Sequence, residues 1–436
     1  MTETILVAER VLSEHFGRRL ALRSDRTWNG AKSTVVRCRI QQPSTSLPPS
    51  VIIKRSTCGA ALEDLAASLF LEQVPHEPPF APRCYGGDPA SQTVVLEDLG
   101  DGDAPNTYDR VLGQDPQAAA AALLDHIRLT GQLHAATAGR QRDYLRIRES
   151  LGQVAAPKPL YEDPWSNARG QHIPGRDRNQ AREKYCSSLR ALGLTVPPAV
   201  IDEIEMVTDR VEADPGPFLV FCQGDLNTPG NCVRRHGRLR LYDFDGGGFR
   251  HSLLEGLAGR LTWGCMSRIP ADVVRDMDAT YRTALQGGCE AAQDDRRYKE
   301  ALVEAAGRWH IFHVIWRLPT ALERDYLRGL TSLRQQLLAW LAWMPMEGKP
   351  ANKSACMRPR FPLKSAYSPA RRRYRRPRTI DPRAKRSPQA SANANSSLHG
   401  RFRLKFRAFR ILSAYPRSSP SQDVTVATWT IIPETA

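Results

Sequence analysis

The chain has 436 residues, 41% hydrophobic and 25% charged, a composition typical of globular proteins with room for two or three structural units. Its longest apolar runs are too short to span a bilayer, and its first residues lack the basic start and continuous apolar segment of a secretory signal. The net charge of +16 is concentrated in residues 351–436, so the remaining body of the protein is neutral and carries no general nucleic-acid signal.

The nine cysteines point to a reducing compartment. They are odd in number and include no CxxC pair, which favours reduced thiols over disulfides or a zinc site. Together with the absence of a recognisable signal or membrane span, this pattern predicts a cytoplasmic protein.

The first hundred residues predict short strands and one helix. Segments 33–40 and 51–55 are rich in β-branched residues and are separated by a Pro/Ser-rich loop, which is typical of neighbouring antiparallel strands. Apolar residues at helical spacing predict a helix over 61–74, and a further strand is predicted over 92–100. We therefore expect residues 1–100 to form a small lobe around an antiparallel sheet.

Beyond residue 100 the pattern becomes mainly helical. A long helix is predicted over 117–137, and amphipathic stretches interrupted by Pro and Gly loops follow, with 308–330 among the clearest. The strands predicted in this half are 218–222 and the two segments that flank His236 and Gly237. Residues 101–350 thus predict a larger, mostly helical lobe, and the fold class is α+β.

The tail, residues 351–436, has a different composition. It contains 19 Lys/Arg and 3 Asp/Glu among Ser, Pro, Asn and Ala, with little apolar periodicity, which predicts a disordered basic extension. Two interpretations stay open. The tail is either a solvated extension or an arm that binds the phosphates of nucleic acid or lipid through salt-sensitive charge neutralisation.

Polar residues follow the predicted strands of the helical half. The strand 218–222 leads into the turn GDLNTPGN, which exposes Asp225 enough to meet a substrate. The hairpin that follows bends at the His-Gly pair and returns Asp243 close to Asn231. One carboxamide and one carboxylate beside Asp225, without His or Cys, suit Mg²⁺, which prefers oxygen ligands and leaves positions for substrate phosphates.

A lysine on a predicted strand adds the remaining part of a phosphoryl-transfer site. Lys54 lies in a row of Val and Ile, where an unpaired charge is costly, and Glu63 on the following helix is its candidate partner. Phosphoryl transfer requires a carboxylate for the attacking hydroxyl, ligands for a metal, and a cation for the phosphates. These residues match all three requirements.

The order and spacing of these segments resemble the aminoglycoside phosphotransferase family, small-molecule kinases that share the protein-kinase fold. QGDLNTPGN followed by LYDFD looks like the catalytic-loop and metal-loop pair of that family. VIIKR is similar to its phosphate-lysine strand, and VVLEDLG to the segment that joins its two lobes. The resemblance covers residues 20–340 and implies a bilobal protein-kinase-like fold with a nucleotide between the lobes.

The resemblance also implies roles for individual residues. Asp225 would be the catalytic base, Asn231 and Asp243 the Mg²⁺ ligands, and Lys54 the contact to the phosphates of ATP or GTP. Glu63 would orient Lys54. The remaining implied contacts are a phosphate-covering turn that contains Gly30 and Ser33, and backbone groups from Glu97 to Leu99 at the edge of the base.

Two positions depart from the family pattern. Gln223 stands where the family has histidine, and glutamine can hydrogen-bond to hold the loop but cannot titrate. The asparagine of the family lies five residues after the aspartate, whereas that position is Gly230 here and Asn231 is the sixth. A one-residue bulge in Thr228-Pro229-Gly230 would absorb the extra residue. Otherwise Asn227 is the ligand, or the protein is a weak or inactive kinase.

The predicted reaction transfers the γ-phosphate of ATP or GTP to a hydroxyl of a small molecule such as an antibiotic or a metabolite. The acceptor stays open, because the neutral charge of the body does not favour a polycationic antibiotic. Two alternatives stay open as well: a nucleotide-binding pseudokinase that acts through its basic tail, and a nucleic-acid-binding protein.

Overall fold

The computed structural model describes residues 2–30, 33–42, 44–56, 60–152, 178–212, 214–224, 229–261, 269–328, 331–343, 402–411 and 424–433. Met1–Pro345 and Phe406–Thr430 fall in one compact unit, and Met346–Lys405 and Ile431–Ala436 in a second.

A small lobe precedes residue 100. Its described elements are α1 (Thr2–Phe16), β1 (Leu22–Asn29), β2 (Ser33–Ile40), β3 (Ser50–Ser56), α2 (Ala60–Glu72), β4 (Cys84–Asp88) and β5 (Thr93–Glu97). The five strands form one sheet in the order β1-β2-β3-β5-β4, in which every neighbouring pair is antiparallel.

The core of the small lobe lies between the sheet and helix α1. Ala8 and Leu12 of α1 pack against Cys38, Val51 and Ile53 of the sheet, and all five side chains are buried. Because side chains alternate between the two faces of a strand, Ile53 faces this core while Lys54 points to the opposite face. The alternation therefore places Lys54 on the face that carries the cleft.

A larger lobe follows, in which helices surround two small sheets in the chain order. β6 pairs with β9, and β7 pairs with β8 in a hairpin. The described elements are α3 (Thr107–Leu112), α4 (Pro116–Thr137), α5 (Gln141–Ser150), α6 (Arg178–Arg190), α7 (Pro198–Glu212), β6 (Leu219–Cys222), β7 (Cys232–Arg235), β8 (Arg238–Leu241), β9 (Gly248–His251), α8 (Ser252–Gly256), α9 (Ala258–Leu261), α10 (Ala271–Leu285), α11 (Asp295–Phe312), a π-helix (His313–Arg317), α12 (Leu318–Glu323), β10 (Leu327–Arg328), β11 (Thr331–Ser332) and α13 (Leu333–Trp343).

The main core of this lobe is formed where α4, α8, α10 and α11 meet. Burial of these apolar side chains stabilises the large lobe by roughly 1.5–3 kcal/mol for each fully buried residue. Its members include Leu123, Ile127, Leu253, Leu254, Tyr281, Leu285, Trp309 and Phe312.

The predicted fold class is confirmed: a small antiparallel-sheet lobe is followed by a large, mostly helical lobe, as in a protein-kinase-like fold. The strands expected over 33–40 and 51–55 pair antiparallel, with Val35 opposite Lys54. The helices expected over 61–74 and 117–137 correspond to α2 and α4. Helix α1 and strands β1, β4 and β9 were not predicted.

The predicted helix over 308–330 is broken in the structure. Helix α11 passes into the π-helix, and α12 begins just before Pro319. At Leu327 the chain adopts the extended conformation of strand β10. Proline lacks an N–H donor and its ring crowds the preceding turn, so the regular hydrogen-bond ladder cannot continue unchanged through this position.

Two strands lie in the basic tail. β12 (Phe402–Ile411) and β13 (Val424–Pro433) pair with each other. They are secondary structure that the composition did not predict, although the alternation of apolar and basic residues in FRLKFRAF has the period of a strand. The remaining prediction of disorder falls on residues outside those that the structure describes.

Among the described residues, no helix combines the length and the apolar character that crossing a bilayer requires.

Candidate active site

Three charged side chains from separate segments meet on the cleft face of the sheet. Nζ of Lys54 in β3 donates to Oδ2 of Asp64 in α2 at 2.5 Å, and to Oδ1 of Asp243, which follows β8. The side chains of Lys54 and Asp64 are 7% and 1% exposed, whereas that of Asp243 is 39% exposed. The cluster therefore has a buried side at Asp64 and an open side at Asp243.

The charge state of Lys54 is set by this cluster. Burial disfavours the ammonium and would lower its pKa, but the neighbouring carboxylates of Asp64, Asp243 and Asp245 outweigh that cost and raise the pKa of Lys54 above its ordinary value. Lys54 is therefore a permanent cation that can balance negative charge in the cleft.

The predicted pairing of Lys54 with Glu63 is wrong. Glu63 instead accepts a hydrogen bond from Nη1 of Arg148 in α5, and Asp64 takes the position beside Lys54. Adjacent residues on a helix point about 100° apart, so a shift of one residue moves the side chain from one neighbour of α2 to another. Sequence spacing placed the acidic residue on the correct turn but did not fix the rotation of the helix.

Asp64 also holds the segment that follows Asp243. Its Oδ1 accepts the backbone N–H of Phe244 at 2.8 Å, while its Oδ2 binds Lys54. One buried carboxylate thus links helix α2, strand β3 and the loop after β8, and it fixes the backbone next to Asp243.

The predicted hairpin brings Asn231 to Asp243. Strands β7 and β8 pair from Cys232 opposite Leu241 to Arg235 opposite Arg238. Beyond the strand ends, the N–H of Tyr242 donates to the carbonyl of Asn231 at 3.1 Å, and Nδ2 of Asn231 lies 3.4 Å from Oδ2 of Asp243. The carboxamide and the carboxylate are therefore neighbours at the base of the hairpin.

The residue before Asn231 makes a tight turn. The carbonyl of Gly230 accepts the N–H of Cys232 at 2.8 Å and the hydroxyl of Tyr242 at 3.2 Å. Asn231 sits at the centre of this turn, directly before the hairpin. The alternative ligand, Asn227, lies outside the described residues, as does the predicted catalytic base Asp225.

Gln223 ties the two loops of the site together. Its Nε2 donates to the carbonyl of Asn231 at 3.1 Å and to that of Tyr242 at 2.6 Å. Both donors of one neutral amide are thus used to join the segment before Asp225 to the base of the hairpin. The loop-holding function expected of this glutamine is consistent with these two bonds.

We expect Gln223→Glu to weaken this connection in a pH-dependent way. A carboxylate would present oxygens to two carbonyls, so we expect a loss of about 1–3 kcal/mol in the free energy of unfolding at pH 8. Burial raises the pKa of such a carboxyl group, and protonation restores one donor, so part of the loss should be recovered at pH 5.

The measurement is denaturant unfolding of Gln223→Glu and of the parent protein at both pH values. Gln286→Glu is the matched control, because Nε2 of Gln286 also donates to a backbone carbonyl, that of Ala292, at 3.1 Å. A stability difference from the parent that does not change with pH would contradict the assigned bonds of Gln223.

A buried carboxylate supports the backbone just before Asp225. Glu255 in α8 accepts the N–H groups of Gln223 and Gly224, each at 3.0 Å, and lies 2.8 Å from Nε2 of His134. Nδ1 of His134 contacts the hydroxyl of Tyr281 at 2.8 Å. This chain of bonds joins the loop to α4, α8 and α10.

Glu255 remains ionised in this position. Burial would raise its pKa, but the contact with His134 and the two backbone N–H donors outweigh burial and hold the pKa below its ordinary value. Its contribution to stability is present above the ordinary pKa of a glutamic acid and is lost as the pH falls through the lowered value.

A cavity of about 790 Å³ opens beside the ion cluster. Lys54, Asp64 and Asp243 contribute charged groups to its wall. Apolar side chains from both lobes supply much of the rest: Trp28, Val35, Ile52, Pro82, Leu96, Leu99 and Val233. The volume is within the range of 300–1,000 Å³ that is common for small-molecule and cofactor pockets.

The segment that joins the lobes lies along this cavity. Leu99 is buried and faces it, whereas the carboxylate of Glu97 binds the guanidinium of Arg240 at 2.9 Å and accepts the N–H of Arg83 at 3.0 Å. Burial opposes ionisation of Glu97, but these contacts lower its pKa. The side chain of Glu97 is thus held by Arg240 and by the backbone of Arg83.

The turn between β1 and β2 supplies another part of the wall. Ser33 lines the cavity, and the N–H of Gly30 donates to the carbonyl of Ser33 at 2.8 Å, which closes the turn. Gly30 is placed beside the cavity by this bond and does not itself line it among the described residues.

The structure therefore gathers Lys54, Asn231 and Asp243, places Ser33, Glu97 and Leu99 on the cavity wall, and assigns Glu63 to a different ion pair. Asp64, Arg148 and Glu255 were not predicted from the sequence. Asp64 is adjacent to the predicted residue, so the acidic pair in LEDL was the available signal. Arg148 and Glu255 act across more than 30 residues of chain, and no local pattern marks them.

No family model matches the chain, and no curated protein matches it. The chain is similar to solved structures of an ethanolamine kinase from Plasmodium vivax, a choline kinase from Cryptosporidium parvum Iowa II and an aminoglycoside phosphotransferase from Alicyclobacillus acidocaldarius. Their sequence identities are 13%, 13% and 14%, and their TM-scores are 0.41, 0.38 and 0.35. The alignments cover 73%, 74% and 74% of this chain, and 82%, 88% and 90% of those chains.

By name, those structures are two kinases and a phosphotransferase. Their identities and TM-scores are low, so the function of this chain is inferred below from the side chains of its own cleft.

Proposed function

We propose that the chain transfers the γ-phosphate of ATP or GTP to a hydroxyl group of a small molecule, in a Mg²⁺-dependent reaction. The observation that carries this proposal is the meeting of Lys54, Asn231 and Asp243 beside a cavity of about 790 Å³. A cation and a carboxylate on the wall of one pocket, with a carboxamide next to the carboxylate, are groups that a metal-bound nucleotide requires.

The cavity offers suitable surroundings for a nucleotide. Its apolar wall, with Val35, Ile52 and Leu99, suits a flat base, and the charged groups at Lys54 and Asp243 suit phosphates and a metal. Because the carboxylate of Glu97 is occupied by Arg240, recognition of the base at this segment falls to backbone groups.

Asp243 and Asn231 fit a magnesium ion. Asp243 offers carboxylate oxygens that are open to the cleft, and Asn231 would supply its amide oxygen once its carboxamide turns away from the contact of Nδ2 with Asp243. Mg²⁺ usually binds one or two protein oxygen ligands together with phosphates and water. The metal, when bound, would neutralise charge that develops on the transferred phosphoryl group. Lys54 would contribute a second positive charge from the β3 side.

Asp225 would orient and deprotonate the acceptor hydroxyl. The two residues before it are fixed by Glu255, and Gln223 ties the same segment to the hairpin that carries Asn231 and Asp243. A loop fixed at its start by two backbone N–H bonds to Glu255 and by the side chain of Gln223 is suited to hold a general base in one orientation, which is the main contribution that a protein makes to this reaction.

The test begins with nucleotide binding. We expect MgATP or MgGTP to raise the melting temperature of the full chain, and the increase to disappear when EDTA removes the metal. Turnover is then followed with γ-labelled nucleotide across aminoglycosides, other hydroxylated antibiotics, amino alcohols and sugars. Transfer of the label to one acceptor class supports the proposal and identifies the substrate.

Asp225→Asn is the informative comparison in the same assay. It should keep the nucleotide-dependent stabilisation and lose transfer, because the base is removed while the phosphate and metal contacts remain. Stabilisation without turnover in either protein would indicate a pseudokinase that binds nucleotide, and no metal-dependent binding of either nucleotide would reject the kinase interpretation.

A further inference from the structure

A buried ion pair links the two lobes at the first turn of α2. Arg148 of α5 donates through Nη1 to Oε2 of Glu63, and the two side chains are only 3% and 8% exposed. The Arg148 guanidinium also lies 5.7 Å from the centre of the Tyr144 ring. Tyr144 is fully buried and directs its hydroxyl to the carbonyl of Gly247 at 3.4 Å. Contacts within the large lobe therefore fix the position of the Arg148 side chain that binds α2.

The neighbouring residue of α2 belongs to the ion cluster. Glu63 binds Arg148, and Asp64 binds both Lys54 and the N–H of Phe244. One helical turn is thus fixed on two sides by two consecutive carboxylates. Any rotation of α2 that releases Glu63 from Arg148 also withdraws Asp64 from Lys54 and from the loop after β8.

Stability alone does not account for this ion pair. Burying two charges costs several kcal/mol for each ion, and well-packed apolar side chains often stabilise a protein as well as a buried pair does. A buried pair is directional, however, because only one rotation of α2 satisfies both charges. Apolar side chains would tolerate several rotations.

We propose that Arg148 is a positioning residue of the phosphotransfer site: its pair with Glu63 fixes the rotation of α2, so that Asp64 holds Lys54 and the backbone beside Asp243. The proposal rests on the proposed function for its catalytic consequence, while its structural part concerns contacts of this chain alone. Arg148 acts through Asp64 and does not itself touch the nucleotide cavity.

The amide of Phe244 provides a direct readout. Its N–H is bonded to Asp64, so its hydrogen exchange reports whether α2 keeps Asp64 in place. The test variant is the double replacement Glu63→Met and Arg148→Met, which removes both charges and leaves no buried charge unpaired. Arg148→Met alone would leave Glu63 unpaired and is less suitable, because it endangers the fold.

A second buried pair supplies a matched control. Nε of Arg308 donates to Oε1 of Glu212 at 2.6 Å, and their side chains are 2% and 21% exposed. The double replacement Glu212→Met and Arg308→Met removes the same kind of contact from helices α7 and α11. Asp64→Ala sets the upper limit of the exchange rate expected at Phe244, because it deletes the acceptor of the Phe244 amide.

The expected result is exchange of the Phe244 amide at least about tenfold faster in the Glu63/Arg148 double variant, since a bond to a charged acceptor is lost. Exchange in the Glu212/Arg308 control should stay within about twofold of the parent. Denaturant unfolding confirms that both double variants are folded. If the Glu63/Arg148 variant is folded and its Phe244 amide exchanges at the parental rate, the proposal is overturned.

Turnover separates this inference from the proposed function. If the parent protein transfers phosphate, the Glu63/Arg148 double variant should lower kcat by at least about tenfold, because a small misplacement of reacting groups is costly, while the control keeps the parental kcat. If the parent protein transfers no phosphate to any acceptor, the proposed function fails, and exchange at Phe244 still decides whether Arg148 positions Asp64.

Discussion

Asp243→Asn is expected to lower kcat for phosphate transfer by about 10³-fold or more while leaving the protein folded. The amide keeps the shape of the side chain and one oxygen, but it removes the negative charge that would attract a divalent metal. Folding should be retained because Lys54 keeps its buried partner Asp64. Asp243 is 39% exposed, so no buried charge is left without compensation.

The measurement is kcat as a function of Mg²⁺ concentration, with the melting temperature of each protein recorded in parallel. Asp276→Asn in α10 is the control, since Asp276 is exposed and lies on a helix that contributes nothing to the wall of the cavity. If Asp243→Asn keeps more than about a tenth of the parental kcat at saturating Mg²⁺, Asp243 is not a metal ligand, and the assignment of the site has to be revised.

Local sequence patterns predict much of this fold because each pattern reflects one buried face. The β-branched segments 33–40 and 51–55 and the apolar spacing of 61–74 match β2, β3 and α2 closely. Strand β9 has no recognisable sequence pattern, since it has only four residues, GFRH, and includes a glycine. It forms a strand because it pairs with β6, a contact that depends on the tertiary structure.

In the candidate site, too, local contacts could be predicted and contacts that depend on tertiary structure could not. Asn231 and Asp243 are joined by a short hairpin, so their proximity follows from local geometry and could be predicted. The partner of Lys54 depends on how α2 is rotated, and that rotation is set by Arg148, which lies 85 residues from Glu63 in the chain. A choice between Glu63 and Asp64 therefore requires tertiary information.

The backbones of the loop at Gly224 and the loop at Gly246 approach each other so closely that one added methyl group would force them apart. Gly224 has a φ of +92°, a region that residues with a Cβ atom rarely adopt. A Cβ at this position would also collide with the carbonyl oxygen and carbon of Gly246. Gly224 precedes Asp225, and Gly246 follows Asp243, so the collision would separate the proposed base from the proposed metal ligand.

We therefore expect Gly224→Ala to lower the free energy of unfolding by at least about 3 kcal/mol and to abolish most turnover. Gly139→Ala is the matched control, because Gly139 has a φ of +76° but no atom lies within 4 Å of a Cβ placed there. The control should lose only about 1–2 kcal/mol, the cost of a left-handed backbone alone.

Denaturant unfolding of both variants separates the two causes of destabilisation, since the difference between them measures the contact with Gly246. The backbone of Gly246 cannot rotate aside as a long side chain would, so the added methyl group has to push the two loops apart. Equal losses in Gly224→Ala and Gly139→Ala would mean that the loops do not approach each other this closely. A larger loss in Gly224→Ala, accompanied by loss of turnover, would support the close backbone contact between these loops on which the proposed site depends.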